Sequence, residues 1–299
     1  MIATMPSLSA PRVWWSAVRP ATLAASVAPV LVGTAIAVHE GGARLGAGLL
    51  AVMVGVAMQI GVNFANDYSD FVRGADTASR VGPVRAASSG VVAPGSVKRA
   101  AIAAFGLAGV AGLVLSLITD WRLLLAGAAC LLAGWLYTGG PRSYGDLGLG
   151  EVFVLIFFGL VATVGTVYVE TLRVTPLAGL LGCAMGSLAT ALLVLNNLRD
   201  MATDKAAGKR TLATRIGRGS TLTLLLVLVG VAFAVPIVVV VLKLAAASVM
   251  VVYLGSPIAA APVRVAYANT AGPALYRGLK RMAVAELAFA LLFSLGLLL

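Results

Sequence analysis

Long apolar stretches recur along this chain and constrain its fold more than any other feature. A helix needs about 20 residues to cross a hydrocarbon core of roughly 30 Å. Because lipid offers backbone groups no hydrogen-bond partner, membrane spans are helices or strands of a closed barrel, and the short alternating segments of a barrel are absent here. We predict nine transmembrane helices, at 21–38, 45–65, 100–118, 122–138, 151–169, 176–197, 221–241, 244–261 and 283–299.

Composition supports a membrane fold. Of the 299 residues, 60% are hydrophobic and only 11% are charged, and the mean hydropathy is +1.01. This leaves too little polar surface for an ordinary soluble domain. We therefore expect one all-α integral membrane domain that covers residues 1–299 and lies in membrane lipid.

The net charge of +11 is unevenly distributed between loops. If the N-terminus is cytoplasmic, 18 of the 22 Lys and Arg residues fall on the cytoplasmic side. The exceptions are Arg44, Arg122, Arg173 and Lys243. This positive-inside bias predicts a cytoplasmic N-terminus. Since topology accounts for the basic residues, we expect no nucleic-acid partner.

Polar residues collect in three cytoplasmic loops, about 66–99, 138–151 and 198–220, which we predict to form an active site. The first is entered through GVNFANDYSD, which places side chains at i, i+3, i+4 and i+7 on one helical face: Asn63, Asn66, Asp67 and Asp70. The last is entered through LVLNNLRDMATD, which places Asn196, Asp200 and Asp204 at i, i+4 and i+8 on one helical face. Asn197 lies beside them. Two helices therefore reach the same surface with amide and carboxylate groups.

These oxygen ligands are typical of a Mg²⁺ site that is completed by phosphate. Mg²⁺ usually takes one or two carboxylates together with substrate phosphate oxygens. Four aspartates would repel a diphosphate unless divalent cations lay between them. Nearby basic groups can neutralise a departing diphosphate; the candidates are Arg73, Lys205, Lys209 and Arg210. Alternatively, any one of these basic residues anchors a helix end at the lipid headgroups.

Two acidic motifs, NDYSD and DMATD, resemble the signatures of the UbiA superfamily of intramembrane prenyltransferases. The segments NDYSDFVRGADT, YTGGPRSYGDLGLGE and NNLRDMATDKAAGKRTLATRIG are most similar to the branch that prenylates 1,4-dihydroxy-2-naphthoate in menaquinone synthesis. VRPATLAASVAPVLVGTA extends the resemblance towards the N-terminus, so it covers nearly the whole chain. The resemblance implies a helical bundle around a central cavity, in a bacterial inner membrane.

The resemblance also implies roles for particular residues. The ligands of two Mg²⁺ ions would be Asn66, Asp67, Asp70, Asp200 and Asp204. The diphosphate and acceptor would be contacted by Asn63, Arg73, Tyr137, Arg142, Tyr144, Asn196, Asn197, Lys205 and Arg210, and Lys209 would act with the aspartates in catalysis. For Arg142, an ordinary turn built on Gly139, Gly140 and Pro141 is the alternative.

The implied reaction transfers a polyprenyl group from polyprenyl diphosphate to 1,4-dihydroxy-2-naphthoate, with loss of CO₂ and diphosphate, to give demethylmenaquinol. The sequence leaves open whether Asp70, Asp146 or Glu151 is a general base. Other acceptors, such as 4-hydroxybenzoate or homogentisate, are the rival interpretation. An ion-coupled transporter is a weaker alternative, since transporters place their coupling charges near the bilayer midplane.

One acid lies apart from these loops. Glu286 is about one turn into the last predicted span, and we expect it to snorkel to the interface near Arg281.

Overall fold

The computed structural model describes residues 9–74, 82–139, 143–270 and 272–299, and within these residues the chain forms helices and no strand. The α-helices are α1 Ala10–Val18, α2 Ala24–His39, α3 Leu45–Val72, α4 Pro94–Ile118, α5 Leu123–Leu136, α6 Gly150–Val154, α7 Ala162–Thr171, α8 Pro176–Ala206, α9 Leu212–Val241, α10 Ser256–Ala268 and α11 Gly272–Leu298. A 3₁₀ turn, Pro20–Leu23, joins α1 to α2. A π-helical segment, Leu155–Val161, joins α6 to α7, and a 3₁₀ segment, Ala247–Gly255, leads into α10.

The predicted spans correspond to helices throughout the described residues. Eight helical segments are long and apolar enough to cross a membrane, and each coincides with a predicted span. The remaining prediction, 122–138, is α5, a shorter apolar helix of 14 residues. At 1.5 Å per residue α5 is about 21 Å long, less than the hydrocarbon core. The all-α membrane fold is confirmed, whereas a ninth crossing by α5 stays a prediction.

The central helix of the bundle is α8. In its most apolar stretch 78% of the residues are buried, more than in any other candidate span of the described residues. It packs against α2, α9, α11 and the π-helical segment. Leu181, Met185, Leu188 and Leu195 of α8 belong to the main core cluster. Because α8 ends in the second acidic motif, the best-packed helix carries half of the predicted site.

Glycines allow α8 and the π-helical segment to cross at very short distance. A Cβ added to Gly159 would lie 2.4 Å from the Cα of Gly186. A Cβ added to Gly186 would lie 2.5 Å from the carbonyl oxygen of Leu155. These obstacles are backbone atoms, so no side-chain rotation relieves the clash. Small residues at such a crossing let the two backbones pack closely, as is common in membrane bundles.

Glu286 lies where the sequence did not place it. It is fully buried in the middle of α11, and neither carboxyl oxygen has a hydrogen-bond partner among the described residues. The expected snorkelling is wrong because α11 begins at Gly272 and not at 283, which puts Glu286 several turns from the helix end. Its neighbours Met282 and Phe289 belong to the main core cluster.

The glycine crossing gives a testable prediction about stability. We expect Gly186→Ala to lower the thermal midpoint Tm in detergent, because the methyl group meets backbone atoms of the π-helical segment. The matched control is Gly179→Ala, on the same helix, where an added Cβ has nothing within 4 Å. This control should be neutral or stabilising by about 0.5–1 kcal/mol, the ordinary difference between Ala and Gly in a helix. Equal Tm values for the two variants would contradict a tight crossing.

Candidate active site

The two acidic motifs meet at one end of the bundle, where α3 and α8 both end. The Nζ of Lys209 lies 2.7 Å from Oδ1 of Asp70 on α3 and 4.0 Å from Oδ1 of Asp204 on α8. Burial lowers the pKa of Lys209, but Asp70, Asp204 and the neighbouring Asp146 raise it, and the net shift is upward. Lys209 is therefore a permanent cation that joins the two motifs at neutral pH.

The first motif is held by arginines from two other parts of the chain. Asp67 is fully buried, and its carboxylate accepts hydrogen bonds from Arg19 and Arg85 and from the backbone N–H of Ala86 at 3.1 Å. Arg85 also reaches Oδ2 of Asp70 at 2.9 Å. Residues 85–86 therefore close over the end of α3 and connect both aspartates of this motif.

The second motif has its own arginine. Nε of Arg199 donates to Oδ1 of Asp200 at 2.7 Å, and Nη2 donates to Oδ2 of the same carboxylate. Nη2 also donates to Oδ1 of Asn196, at 2.9 Å. This two-point geometry is the strongest arrangement of a guanidinium with a carboxylate. Beside it, Nδ2 of Asn197 donates to Oε1 of Glu151 at 2.9 Å and so joins α8 to α6.

Asn63 supports the first motif. Its Nδ2 donates to the carbonyl oxygen of Val18 at 2.8 Å and to Oγ1 of Thr22 at 3.0 Å. Thr22 in turn donates to the carbonyl oxygen of Arg19 at 2.9 Å. Arg19 has a left-handed backbone, with φ of 54°. In this structure the Asn63 amide therefore fixes the turn that directs Arg19 towards Asp67.

A small polar cavity of about 60 Å³ lies between the two motifs. Many of the residues predicted for the site line it: Asn66, Asp70, Arg73, Tyr137, Asn196, Asn197, Asp200, Asp204 and Lys209. Asp146 lines it too, and the Asp146 carboxylate accepts hydrogen bonds from Arg73 and from Oγ of Ser143 at 2.5 Å. The cavity thus combines carboxylates, amides and cations in one space, as binding a hydrated diphosphate would require.

A larger cavity of about 480 Å³ extends from the polar one into the bundle. The two share three lining residues, Asn66, Tyr137 and Asn196. The larger space is bordered by apolar residues of all seven helices from α2 to α8 and of the π-helical segment. Its far end reaches Leu115, near the C-terminal end of α4, and Leu123, at the N-terminal end of α5. A ligand with a charged head and a long apolar tail fits this combination.

Aromatic rings form one wall of the large cavity next to the junction. The ring centroids of Tyr137 and Tyr144 are 5.5 Å apart, and Phe153 stacks on Tyr144 at 4.0 Å. Phe157 of the π-helical segment continues the row at 5.9 Å. Burial raises the pKa of the Tyr144 phenol, so this phenol is neutral at physiological pH and cannot act as a base there.

The oxygen donors around the polar cavity fit Mg²⁺ in one specific way. Among the described residues, no group of three or more His, Cys, Asp or Glu side chains is arranged to hold a metal ion alone. The donors in the polar cavity are carboxylates and amides, which suit Mg²⁺. A metal held by these donors would complete its coordination with water and with oxygens of a bound phosphate. This is how Mg²⁺ usually binds at phosphate-transfer sites.

The remaining predicted residues lie outside the polar cavity. Asn63 and Tyr144 line the large cavity, and Tyr144 donates to the carbonyl oxygen of Ala133 at 2.8 Å. Lys205 and Arg210 are exposed and line neither cavity, so their roles as substrate ligands stay predictions. Arg142 lies outside the described residues.

Three arginines of the site were not among the predicted site residues: Arg19, Arg85 and Arg199. In the sequence Arg19 and Arg85 are indistinguishable from the other basic residues of a positive-inside pattern. Arg199 directly precedes Asp200, and that adjacency was a usable signal. Nothing in the sequence indicated Arg85, because it lies 18 residues from Asp67 in a segment without helical periodicity.

Comparison with known proteins gives a consistent result. The family model described as "UbiA prenyltransferase family" matches residues 26–287. A protein of Mycobacterium tuberculosis named 1,4-dihydroxy-2-naphthoate octaprenyltransferase is 47% identical over 208 residues, which are 70% of this chain and 71% of that relative. A protein of the same name from Bacillus subtilis is 31% identical over 96% of this chain and 92% of its own length.

Solved structures show the same fold. The apo structure of a UbiA homolog from Aeropyrum pernix K1 aligns with a TM-score of 0.68 at 16% identity, over 92% of this chain and 96% of that one. A UbiA homolog from Archaeoglobus fulgidus bound to GPP and Mg²⁺ aligns with a TM-score of 0.65 at 16% identity, over 94% and 99%. With the family model spanning most of its length, this chain belongs to the UbiA prenyltransferase family.

Proposed function

We propose that this protein transfers a polyprenyl group from polyprenyl diphosphate to 1,4-dihydroxy-2-naphthoate in a Mg²⁺-dependent reaction. The observation that carries the proposal is the junction of the two cavities. A polar space between two aspartate motifs opens at Asn66, Tyr137 and Asn196 into a long apolar space. The diphosphate would lie in the first and the prenyl chain in the second, so the reacting carbon would lie between them.

The relatives support the acceptor and the donor. Bacterial proteins up to 47% identical to this chain are named 1,4-dihydroxy-2-naphthoate octaprenyltransferase. The A. fulgidus homolog, which has the same fold, was solved with GPP and Mg²⁺ and with DMAPP and Mg²⁺. Two Mg²⁺ ions, held by Asn66 and Asp70 on one side and Asp200 and Asp204 on the other, would account for the two facing motifs. Asp67, which is fully buried and pairs with Arg19 and Arg85, does not line the polar cavity and is left out of this set.

The reaction would break the carbon–oxygen bond of the allylic diphosphate and form a carbon–carbon bond at the ring carbon that bears the carboxylate. That carboxylate leaves as CO₂, which restores the aromatic ring, and diphosphate is the other product. Bound Mg²⁺ would supply the positive charge that stabilises the departing diphosphate.

The chain's own residues would assist in three ways. Lys209 and Arg73 line the polar cavity and would neutralise the leaving group. The apolar walls of the large cavity would keep water from the allylic cation. The faces of Tyr144 and Phe153, stacked beside the junction, would lie next to the cation and favour it electrostatically.

The site would face the cytoplasm of a bacterial cell. The polar cavity lies at the end of the bundle that carries the two long basic loops. By the positive-inside rule this end is cytoplasmic, and the protein is then a multi-pass protein of the inner membrane. Water-soluble naphthoate would reach the polar cavity from this side, whereas the prenyl donor would come from the bilayer.

The acceptor can be tested directly. We expect detergent-purified protein, incubated with Mg²⁺ and a labelled polyprenyl diphosphate, to convert 1,4-dihydroxy-2-naphthoate to a prenylated product that mass spectrometry shows to lack the carboxyl group. Parallel reactions contain 4-hydroxybenzoate or homogentisate. Product from one of these and none from the naphthoate would keep prenyl transfer and overturn the acceptor.

The aspartates of the second motif should be essential for activity. We expect Asp200→Asn and Asp204→Asn each to lower kcat/KM by about 10²-fold or more, since metal-ion charge stabilisation contributes several kcal/mol to such reactions. The matched control is Asp120→Asn at the opposite end of the bundle, where Asp120 accepts a hydrogen bond from Tyr168. This control should retain activity. Wild-type rates in both motif variants would exclude the metal-diphosphate role.

The loss of activity that follows removal of divalent cations should be reversible. We expect EDTA to abolish transfer and an excess of Mg²⁺ to restore it, with no change in oligomeric state by size-exclusion chromatography. The reason is that Mg²⁺ usually keeps several waters and takes only one or two protein carboxylates, so we expect the ion to exchange with solution. Full activity in EDTA would contradict metal dependence.

A further inference from the structure

The acidic site is neutralised by the chain's own cations. Among the described residues, five aspartates at this end lie within 4.0 Å of a basic nitrogen: Asp67, Asp70, Asp146, Asp200 and Asp204. Five basic side chains provide these contacts: Arg19, Arg73, Arg85, Arg199 and Lys209. The charges of these ten residues sum to zero, so each of these aspartates is balanced by a cation of the chain itself.

Arg199 occupies the carboxylate of Asp200 completely. Each oxygen of Asp200 accepts a hydrogen bond from a different nitrogen of the guanidinium, so a metal ion that coordinated Asp200 would lie close to the Arg199 cation and be repelled by it. The Arg199 side chain is only 2% exposed, and its guanidinium carbon lies 5.7 Å from the ring centroid of Tyr276. A displaced Arg199 therefore stays inside the site rather than moving into water.

Arg85 has the same relation to the first motif. It bridges Oδ1 of Asp67 and Oδ2 of Asp70, the two carboxylates that the NDYSD motif contributes. Its side chain is 8% exposed, and the neighbouring Ala86 N–H also donates to Asp67. The backbone thus holds Arg85 at the site even if one of its ion pairs is broken.

A metal ion alone would bind such a site poorly. Each guanidinium that loses its carboxylate becomes a buried cation without a counter-charge, which is strongly unfavourable. A diphosphate changes this balance, because its oxygens match the guanidinium fork and replace the lost carboxylate. Metal and diphosphate therefore favour each other's binding.

We propose that Arg85 and Arg199 are exchangeable counter-cations, which pair with the acidic motifs when no metal is bound and transfer to the diphosphate when metal and diphosphate bind together. This proposal rests on the proposed function. It assigns the two arginines a positioning role and predicts that metal and diphosphate bind with strong coupling. By thermodynamic reciprocity, metal tightens diphosphate binding by the same factor by which diphosphate tightens metal binding.

Binding measurements without any prenyl substrate test this. Isothermal titration calorimetry on the full-length protein in detergent would give the affinity for Mg²⁺ alone, inorganic diphosphate alone, and each in the presence of the other. For the wild type we expect a coupling factor of at least about fivefold, within the usual range for coupled sites. Arg85→Gln and Arg199→Gln should bind Mg²⁺ alone about fivefold tighter or more. Their coupling factor should fall below the wild-type value, because only the direct contact between Mg²⁺ and diphosphate remains.

The control is Arg277→Gln, which removes an exposed arginine near the start of α11, outside the site, and should behave like the wild type. Arg85→Lys and Arg199→Lys keep the charge and should keep most of the coupling. They also serve as the test if either Gln variant fails to give monodisperse protein. In that case, Lys variants with much tighter binding of Mg²⁺ alone would overturn the proposal, because the retained charge should still compete with the metal.

Two other outcomes would contradict the proposals, and they differ from each other. Unchanged or weaker binding of Mg²⁺ alone in both Gln variants would mean that the arginines do not compete with metal, and the proposal would be wrong. Failure of the proposed function looks different: the wild type would then bind no Mg²⁺ in the presence of diphosphate, and Asp200→Asn would give the same calorimetric trace as the wild type.

Discussion

The lack of hydrogen-bond partners in lipid is the constraint on which the rest of this structure depends. Backbone groups inside the bilayer must be satisfied within helices, so polar and irregular segments are confined to helix ends. The site follows this rule. Asp67 and Asp70 lie in the last two turns of α3, and Asp200 and Asp204 in the last two turns of α8. The chemistry therefore lies at one end of the bundle, where water and charged ligands can enter.

Buried carboxylates at such a position must be compensated, and the compensation comes from distant parts of the chain. Arg19 precedes the first span, Arg85 lies in the segment after α3, and Lys209 follows α8. Removing one partner of a buried ion pair is far costlier than removing both. The acids and bases of this site therefore form one electrostatic unit. A ligand that replaces one partner affects the others.

The large apolar cavity has the shape and lining that a chain-like ligand would need. Its walls come from seven helices and the π-helical segment, and the close crossing of Gly159 with Gly186 sets the position of that segment against α8. The wider π turn places Phe157 next to the aromatic row that begins at Tyr137. π-helical turns are frequent at functional sites, and here one shapes the wall of the ligand cavity.

The sequence by itself determined the helical membrane fold and the two motif faces, because apolar length and helical periodicity are local properties that any α-helix in lipid expresses. It also predicted one group of metal ligands: Asn66, Asp67, Asp70, Asp200 and Asp204. All of them except Asp67 line the polar cavity. Only the tertiary structure decided which arginines pair with these acids, that Asn63 holds the Arg19 turn, and that Glu286 is buried in the core. These outcomes depend on which helices pack together and where each one begins. Such contacts join residues far apart in the chain, and no local pattern records them.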